Sequence, residues 1–163
     1  MSDKPLKGKI AVVTGASRGL GRAMALSLAH DGAAIACVGR DEDKLLESKD
    51  LIDEVGVDAD TFICDVRSEI EVEQLEKKVK ERFGPAHILI NNAGTAIRKN
   101  LIDFSLDEWN TVLETNLTGE FLCSRAFVPH MKTHKWGRVI NMTSIMANVG
   151  SAGRSAYCAS KHG

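Results

Sequence analysis

Short apolar runs alternate with longer amphipathic segments along the chain, in a pattern typical of buried strands and surface helices. Five runs are predicted strands, at residues 9–14, 33–38, 61–64, 87–90 and 138–142. They are apolar almost throughout rather than at alternate positions. This indicates strands covered on both faces, as in a parallel sheet.

Helical spacing of apolar residues predicts helices at residues 22–30, 41–55, 68–83 and 105–132, and another that begins near Ala156. Ser105 with Glu108 three residues later predicts a capping box at the start of the long fourth helix. Strand and helix alternate five times, which favours a parallel sheet with helices on both faces. We therefore expect one α/β domain of the Rossmann type, doubly wound, over residues 1–163.

Composition narrows the class of protein without naming a function. The chain is 44% hydrophobic and 26% charged, as in soluble globular domains, and its formal net charge is -1. That charge gives no electrostatic reason to expect nucleic acid or an anionic membrane as partner. Residues 1–9 lack the apolar core of a signal peptide, and the cysteines lack metal-ligand spacing. We expect a cytoplasmic protein with reduced thiols and no metal.

A glycine-rich turn follows the first strand and precedes the first helix, with the spacing GxxxGxG. Glycine lets the backbone turn sharply and approach a pyrophosphate, whose charge the N–H groups of a helix start attract. An ordinary tight turn would also use glycine, but the βαβ position favours dinucleotide binding. The predicted cofactor-binding residues here are Thr14, Gly15, Ser17, Arg18, Gly19, Leu20 and Gly21.

The end of the second strand bears on which dinucleotide is bound. NAD enzymes usually carry an acidic residue there for the ribose hydroxyls, whereas this chain has Gly39 followed by Arg40. Arg40 and Arg18 would suit a 2′-phosphate, because guanidinium pairs well with phosphate oxygens. Residues 41–43 are acidic, and we read them as the first turn of the next helix. We predict NADP, with NAD as the alternative.

Tyr157 and Lys161 lie four residues apart, on one face of the predicted last helix. A nearby ammonium lowers the pKa of a phenol, so Tyr157 would act as general acid or base. Alone, the pair is an ordinary helical contact. Ser144 lies just beyond the fifth strand, at the rim where parallel sheets bind ligands. Asn116, inside the long helix, is by itself better explained as a packing or surface residue.

Taken in order, these motifs resemble the short-chain dehydrogenase/reductase family. The resemblance rests on the glycine loop, Asp65-Val66 after the third strand, and the NNAG of residues 91–94. It continues through Asn116, Ser144 and the YxxxK of residues 157–161, and so covers essentially the whole chain. It implies an NAD(P)-dependent oxidoreductase that interconverts a carbonyl and a secondary alcohol.

The resemblance also implies a role for each site residue. Tyr157 would be the acid/base and would also contact the cofactor. Ser144 would polarise the carbonyl, and Lys161 would bind the nicotinamide ribose. Asn116 would hold a water in a proton relay. The remaining implied cofactor contacts are the adenine-binding Asp65 with Val66, and Asn92, Ala93 and Gly94 at the cleft. A small-molecule substrate and a homo-oligomeric complete enzyme follow from the same resemblance.

Three questions remain open at this point. Family members continue through further strands after the YxxxK, so we expect a C-terminally incomplete chain. One alternative is therefore an inactive truncated product that binds a dinucleotide or pairs with a full-length subunit. A related epimerase or dehydratase usually shows TGxxGxxG, which this glycine spacing does not match. Substrates of sugar or sugar-acid dehydrogenases and of 3-oxoacyl-carrier-protein reductases remain equally open.

Overall fold

A computed structural model describes residues 4–163 as one five-stranded parallel sheet flanked by helices. The five predicted strands and their parallel pairing are confirmed. Their order is β3-β2-β1-β4-β5. The strands are β1 (Ile10–Thr14), β2 (Ala34–Gly39), β3 (Ala59–Ile63), β4 (Ile88–Asn91) and β5 (Arg138–Asn141). The chain winds outward from β1 to β3 and returns to β4, so a crevice opens at the carboxyl ends of β1 and β4.

Six α-helices connect or flank these strands. They are α1 (Gly19–His30), α2 (Glu42–Asp53), α3 (Glu69–Phe83), α4 (Leu106–Leu113), α5 (Gly119–Thr133) and α6 (Ser155–His162). The predicted capping box is present at α4, where Ser105 and Glu108 exchange side-chain and backbone hydrogen bonds. Helix α1 begins three residues earlier than predicted, so the end of the glycine loop forms its first turn.

The long fourth helix differs from the prediction of one regular segment. A π-helical turn, Glu114–Thr118, separates α4 from α5. A π-turn holds one residue more than an α-turn and often occurs at functional sites. Here it contains Asn116, a residue type with poor intrinsic preference for a regular helix.

Two apolar cores lie on opposite faces of the sheet, because successive side chains of a strand point to opposite sides. On one face, Ala11 and Val13 of β1 pack with side chains of α1 and α2, including Leu45. On the other, Val12 packs with side chains of α3 and α5, including Phe127. Helices therefore cover both faces, as the apolar runs predicted.

Strand β5 forms one edge of the sheet and pairs only with β4 among residues 4–163. All four of its residues are exposed, including Val139 and Ile140. Within the same residues, no helix is long and apolar enough to cross a membrane.

Three of the four cysteines, Cys37, Cys64 and Cys123, are buried in the cores. Burial raises the pKa of each of these thiols to about 12. They therefore stay protonated at neutral pH and pack as small apolar side chains.

At the opposite end of the sheet from the crevice, His87 is held just before β4. Its Nδ1 accepts a hydrogen bond from the backbone N–H of Ile10 at 3.2 Å, and the Trp136 ring lies with its centroid 5.8 Å away. Burial, together with the positive charges of Lys9 and His134, lowers the pKa of His87 below its ordinary 6.5.

This lowered pKa predicts a specific pH dependence of stability. Just below the ordinary pKa the unfolded chain binds the proton more readily, so stability is lost as the pH falls through this window. We expect His87→Asn, which keeps an acceptor but cannot titrate, to lessen the loss of unfolding free energy between about pH 7 and about pH 5. Urea unfolding at both pH values measures this change in unfolding free energy. The exposed His30→Asn is the control, and equal behaviour of the two variants would contradict the prediction.

Candidate active site

The ends of β1 and β4 are joined through one hydroxyl group. Thr14 Oγ1 donates to the carbonyl of Ile90 at 3.2 Å and accepts from the backbone N–H groups of Asn92 at 2.9 Å and Ala93 at 3.0 Å. Thr14 is 1% exposed and does not line the crevice. Its hydroxyl therefore joins the ends of β1 and β4, and the cofactor contact expected of Thr14 stays a prediction.

Asn92 and two glycines bring the backbone segments of the site into close contact. The Asn92 side-chain amide donates to the carbonyls of Thr14 at 3.0 Å and Gly15 at 3.3 Å. A Cβ on Gly21 would lie 2.1 Å from the Gly15 carbonyl oxygen, so only glycine fits there. By contrast, Gly19 has a φ of 57° and nothing within 4 Å of a Cβ position, which leaves its outer side open.

Arg22 and Ser48 bind the backbone of the glycine loop, and neither was predicted as a site residue. Arg22 donates to the Ser17 carbonyl at 2.6 Å and to Ser48 Oγ at 2.8 Å, and Ser48 donates to the Ala16 carbonyl at 2.9 Å. Ser48 is fully buried in α2. In the sequence, only the position of Ser48 on the apolar face of the otherwise charged helix α2 could have indicated its contact with the glycine loop.

A crevice of about 950 Å³ opens between the glycine loop and the ends of β2 to β4. Its lining includes the predicted cofactor residues Gly15, Ser17, Arg18, Gly19, Leu20, Gly21, Arg40, Asp65, Val66, Asn92, Ala93 and Gly94. Gly39, Asp41, Lys44, Cys64 and Thr115 complete it. Of the residues predicted to bind a cofactor, Thr14, Tyr157 and Lys161 lie outside this lining.

The acidic residues at the crevice are each paired with a local cation. Asp65 accepts from the Arg67 guanidinium at 2.6 Å, and this bond holds the pKa of its carboxyl below the ordinary value. Asp41 caps α2 and pairs with Lys44, which lowers the pKa of Asp41 too. This confirms that the acidic run begins the helix.

The two arginines of the crevice are less engaged. Arg40 lies 3.7 Å from Asp65, and 65% of its side chain is exposed. Arg18 forms no ion pair with any carboxylate in residues 4–163. Since Arg67 already neutralises Asp65, both guanidinium groups remain available to an anionic ligand.

Asn116 connects the loop after β4 to α6. Its Oδ1 accepts from the Thr95 N–H at 2.7 Å, and its Nδ2 donates to the Thr95 carbonyl and to Ser160 Oγ, both at 2.9 Å. It is 1% exposed. Of the two interpretations of Asn116 from its position alone, a surface or a packing residue, its burial agrees with packing.

Ser144 lies just after β5, and Tyr157 lies in the first turn of α6. Ser144 Oγ accepts from the Met146 N–H at 3.2 Å, which leaves its own hydrogen free to be donated elsewhere. Tyr157 is half-buried in the first turns of α6.

Lys161, one turn later, points toward the sheet edge and α5. Its Nζ donates to the Met142 carbonyl at 2.5 Å and lies 3.0 Å from Glu120 Oε1. Lys161 and Glu120 line a second cavity of about 380 Å³, beside β5.

The sequence model of the family described as short chain dehydrogenase matches residues 9–163. The chain belongs to the short-chain dehydrogenase family.

Individual relatives show how far this family likeness extends. A 3-oxoacyl-acyl-carrier-protein reductase from Salmonella typhimurium is 36% identical over 157 residues, which are 96% of this chain and 63% of the reductase. A metagenomic short-chain oxidoreductase solved in complex with NADP matches with a TM-score of 0.93 at 35% identity, over 96% of this chain and 72% of that one. An NAD⁺-bound xylitol dehydrogenase matches with the same TM-score and identity, over 96% of this chain and 61% of its own. The chain thus spans less than two thirds of the reductase's length.

The contact between Gly21 and Gly15 yields a test of the loop. Alanine normally stabilises a helix by about 1 kcal/mol relative to glycine. We expect Gly21→Ala in α1 to do the opposite, because its Cβ would collide with the Gly15 carbonyl oxygen at 2.1 Å. Thermal unfolding should show a lower Tm than wild type. Gly150→Ala, with nothing within 4 Å of the new Cβ, is the matched control, and a Gly21→Ala protein as stable as this control would refute the prediction.

Proposed function

We propose that this chain is the cofactor-binding and catalytic part of an NAD(P)-dependent oxidoreductase that interconverts a carbonyl and a secondary alcohol. The observation that carries the proposal is the crevice over the glycine loop. It is lined by the start of α1, by Arg18 and by Arg40. A helix start with free backbone N–H groups and nearby guanidinium groups favours a phosphate-bearing ligand.

NADP is the preferred cofactor in this proposal, and NAD is the alternative. The position after β2 that carries a carboxylate in NAD enzymes is occupied here by Gly39 and Arg40. Asp41 is committed to capping α2, so it offers little competition for ribose hydroxyls. One relative was solved with NADP and another with NAD⁺, so binding of both cofactors should be measured.

The proposed chemistry divides between cofactor and chain. When bound, the nicotinamide supplies or accepts a hydride. Tyr157 delivers a proton to the carbonyl oxygen in reduction and removes it from the hydroxyl in oxidation. Ser144 donates its free hydroxyl hydrogen to the same substrate oxygen, which orients it. The Lys161 ammonium stabilises the tyrosinate form, and Asn116 fixes α6 against the loop after β4 through Ser160 and Thr95.

The substrate is proposed only as a class. A small molecule with a carbonyl or secondary hydroxyl group fits the reductase relative and the xylitol dehydrogenase relative alike. A 3-oxoacyl thioester and a sugar or sugar acid are therefore both to be assayed. We further propose that the complete enzyme is a cytoplasmic homo-oligomer without a nucleic-acid or membrane partner, as the family resemblance and the net charge of -1 suggest.

Cofactor choice is tested at Arg40. Loss of a charge-assisted hydrogen bond to phosphate costs about 1.5–3 kcal/mol, roughly a tenfold or greater loss of affinity. We expect Arg40→Ala to weaken NADPH binding by about this factor and to leave NADH binding nearly unchanged, measured by nicotinamide fluorescence. Lys77→Ala, on the exposed face of α3, controls for the loss of one positive charge. An Arg40→Ala protein with unaltered preference for NADPH would count against the NADP assignment.

The acid/base assignment is tested at Tyr157. General acid–base catalysis contributes about 10²- to 10⁴-fold in rate. We expect Tyr157→Phe to lower turnover of 3-oxoacyl thioester or polyol substrates by a factor in this range while cofactor affinity stays within about twofold of wild type. Steady-state kinetics and fluorescence titration separate the two effects. Substantial residual turnover would remove Tyr157 from the mechanism.

A further inference from the structure

Lys161 is the most buried cation in any ion pair within residues 4–163. Its side chain is 7% exposed, and that of its partner Glu120 is 15% exposed. The other cations in ion pairs are at least 24% exposed. A buried ammonium needs acceptors to replace water, and Lys161 has two of them, Glu120 Oε1 and the Met142 carbonyl.

Both acceptors draw Lys161 away from the cofactor crevice. Met142 follows the edge strand β5, and Glu120 lies in the first turn of α5. The ammonium lines the smaller cavity beside β5, and it does not line the crevice that holds the glycine loop. The N–H groups and the positive charge of Lys161 therefore interact with Glu120 and Met142 and do not face the crevice.

The position of Glu120 is itself fixed by close packing. Gly119, one residue earlier, approaches Val66 so closely that a Cβ on it would lie 2.8 Å from Val66 Cγ2. Asn91 of β4 donates to Ser124 Oγ at 3.0 Å, one turn further along α5. The start of α5 is therefore anchored on both sides, so the backbone of Glu120 keeps its place if the lysine turns.

We propose that Glu120 is a positioning residue that competes with the nicotinamide ribose for the ammonium of Lys161. The inference rests on the proposed function, since it assumes that Lys161 binds that ribose. In the free protein Glu120 holds the ammonium beside β5, and cofactor binding transfers it to the ribose hydroxyls. Part of the binding free energy is spent on breaking the ion pair, so the observed affinity is lower than the site alone would give.

The experiment is a comparison of ligand affinities in Glu120→Gln and wild type. The amide keeps the shape of the side chain but removes its charge, so Lys161 is released more easily. We expect NADPH to bind about fivefold more tightly to the variant. Affinity for 2′,5′-ADP, which lacks the nicotinamide ribose, should not change. A purely structural role for Glu120 would lower both affinities together.

Four further variants make the result specific. Glu69→Gln removes an exposed ion pair with Arg125 and should change neither affinity. Lys161→Met in the Glu120→Gln background should abolish the gain relative to Lys161→Met alone. Glu120→Asp, which keeps the charge but shortens the side chain, should give a smaller gain and serves if the amide variant does not fold.

Failure of the role of Glu120 and failure of the oxidoreductase proposal would give different results. Unchanged or weaker NADPH binding by Glu120→Gln, beside a wild type that binds NADPH, would overturn the role of Glu120 and leave the oxidoreductase proposal standing. An equal gain for 2′,5′-ADP would also overturn it, because the effect would then not involve the nicotinamide half. A wild-type chain that is folded and binds neither NADPH nor NADH would refute the proposed function and this inference together.

Discussion

The hydroxyl of Thr14 connects the two halves of the sheet at the point where the strand order reverses. It makes three hydrogen bonds, one with Ile90 near the end of β4 and two with the residues just beyond that strand. The Asn92 amide donates two more to the end of β1 and the residue after it. Because Thr14 is buried, leaving its hydroxyl unpaired would cost roughly 1–3 kcal/mol. These hydrogen bonds therefore position the glycine loop, the base of the crevice and the loop that leads to Asn116.

The acidic side chains at the crevice are also held by local contacts. Each carboxylate at the rim is matched by a cation close to it in sequence, Asp41 by Lys44 and Asp65 by Arg67. Arg18 and Arg40 are then the cations at the crevice that these pairs leave for other ligands. A chain with a net charge of -1 can in this way present a positive surface at one place, which increases the local concentration of anionic ligands.

Sequence alone predicted the elements that depend on local pattern. Apolar runs located all five strands, and the Ser105–Glu108 spacing located the start of α4. What escaped prediction depends on contacts distant in sequence. Arg22 meets Ser48 across 26 positions and Lys161 meets Glu120 across 41, and no periodicity encodes such distances. The π-helical turn was also missed, and the partners that hold Asn116 within it, Thr95 and Ser160, are likewise distant in sequence.

The π-helical turn has a further consequence for the tolerance of the fold to insertion and deletion. Each residue in a helix rotates the following ones by about 100° around its axis. A π-turn takes up its extra residue within a single turn, so removing one residue from Glu114–Thr118 would give a regular helix and leave α5 in nearly the same rotational phase. Removing one residue from the first turn of α5 would instead rotate Cys123 and Phe127, now packed beneath the sheet, by about 100° away from the core. The π-helical turn is therefore the place in this pair of helices where the loss of one residue least disturbs the packing of α5.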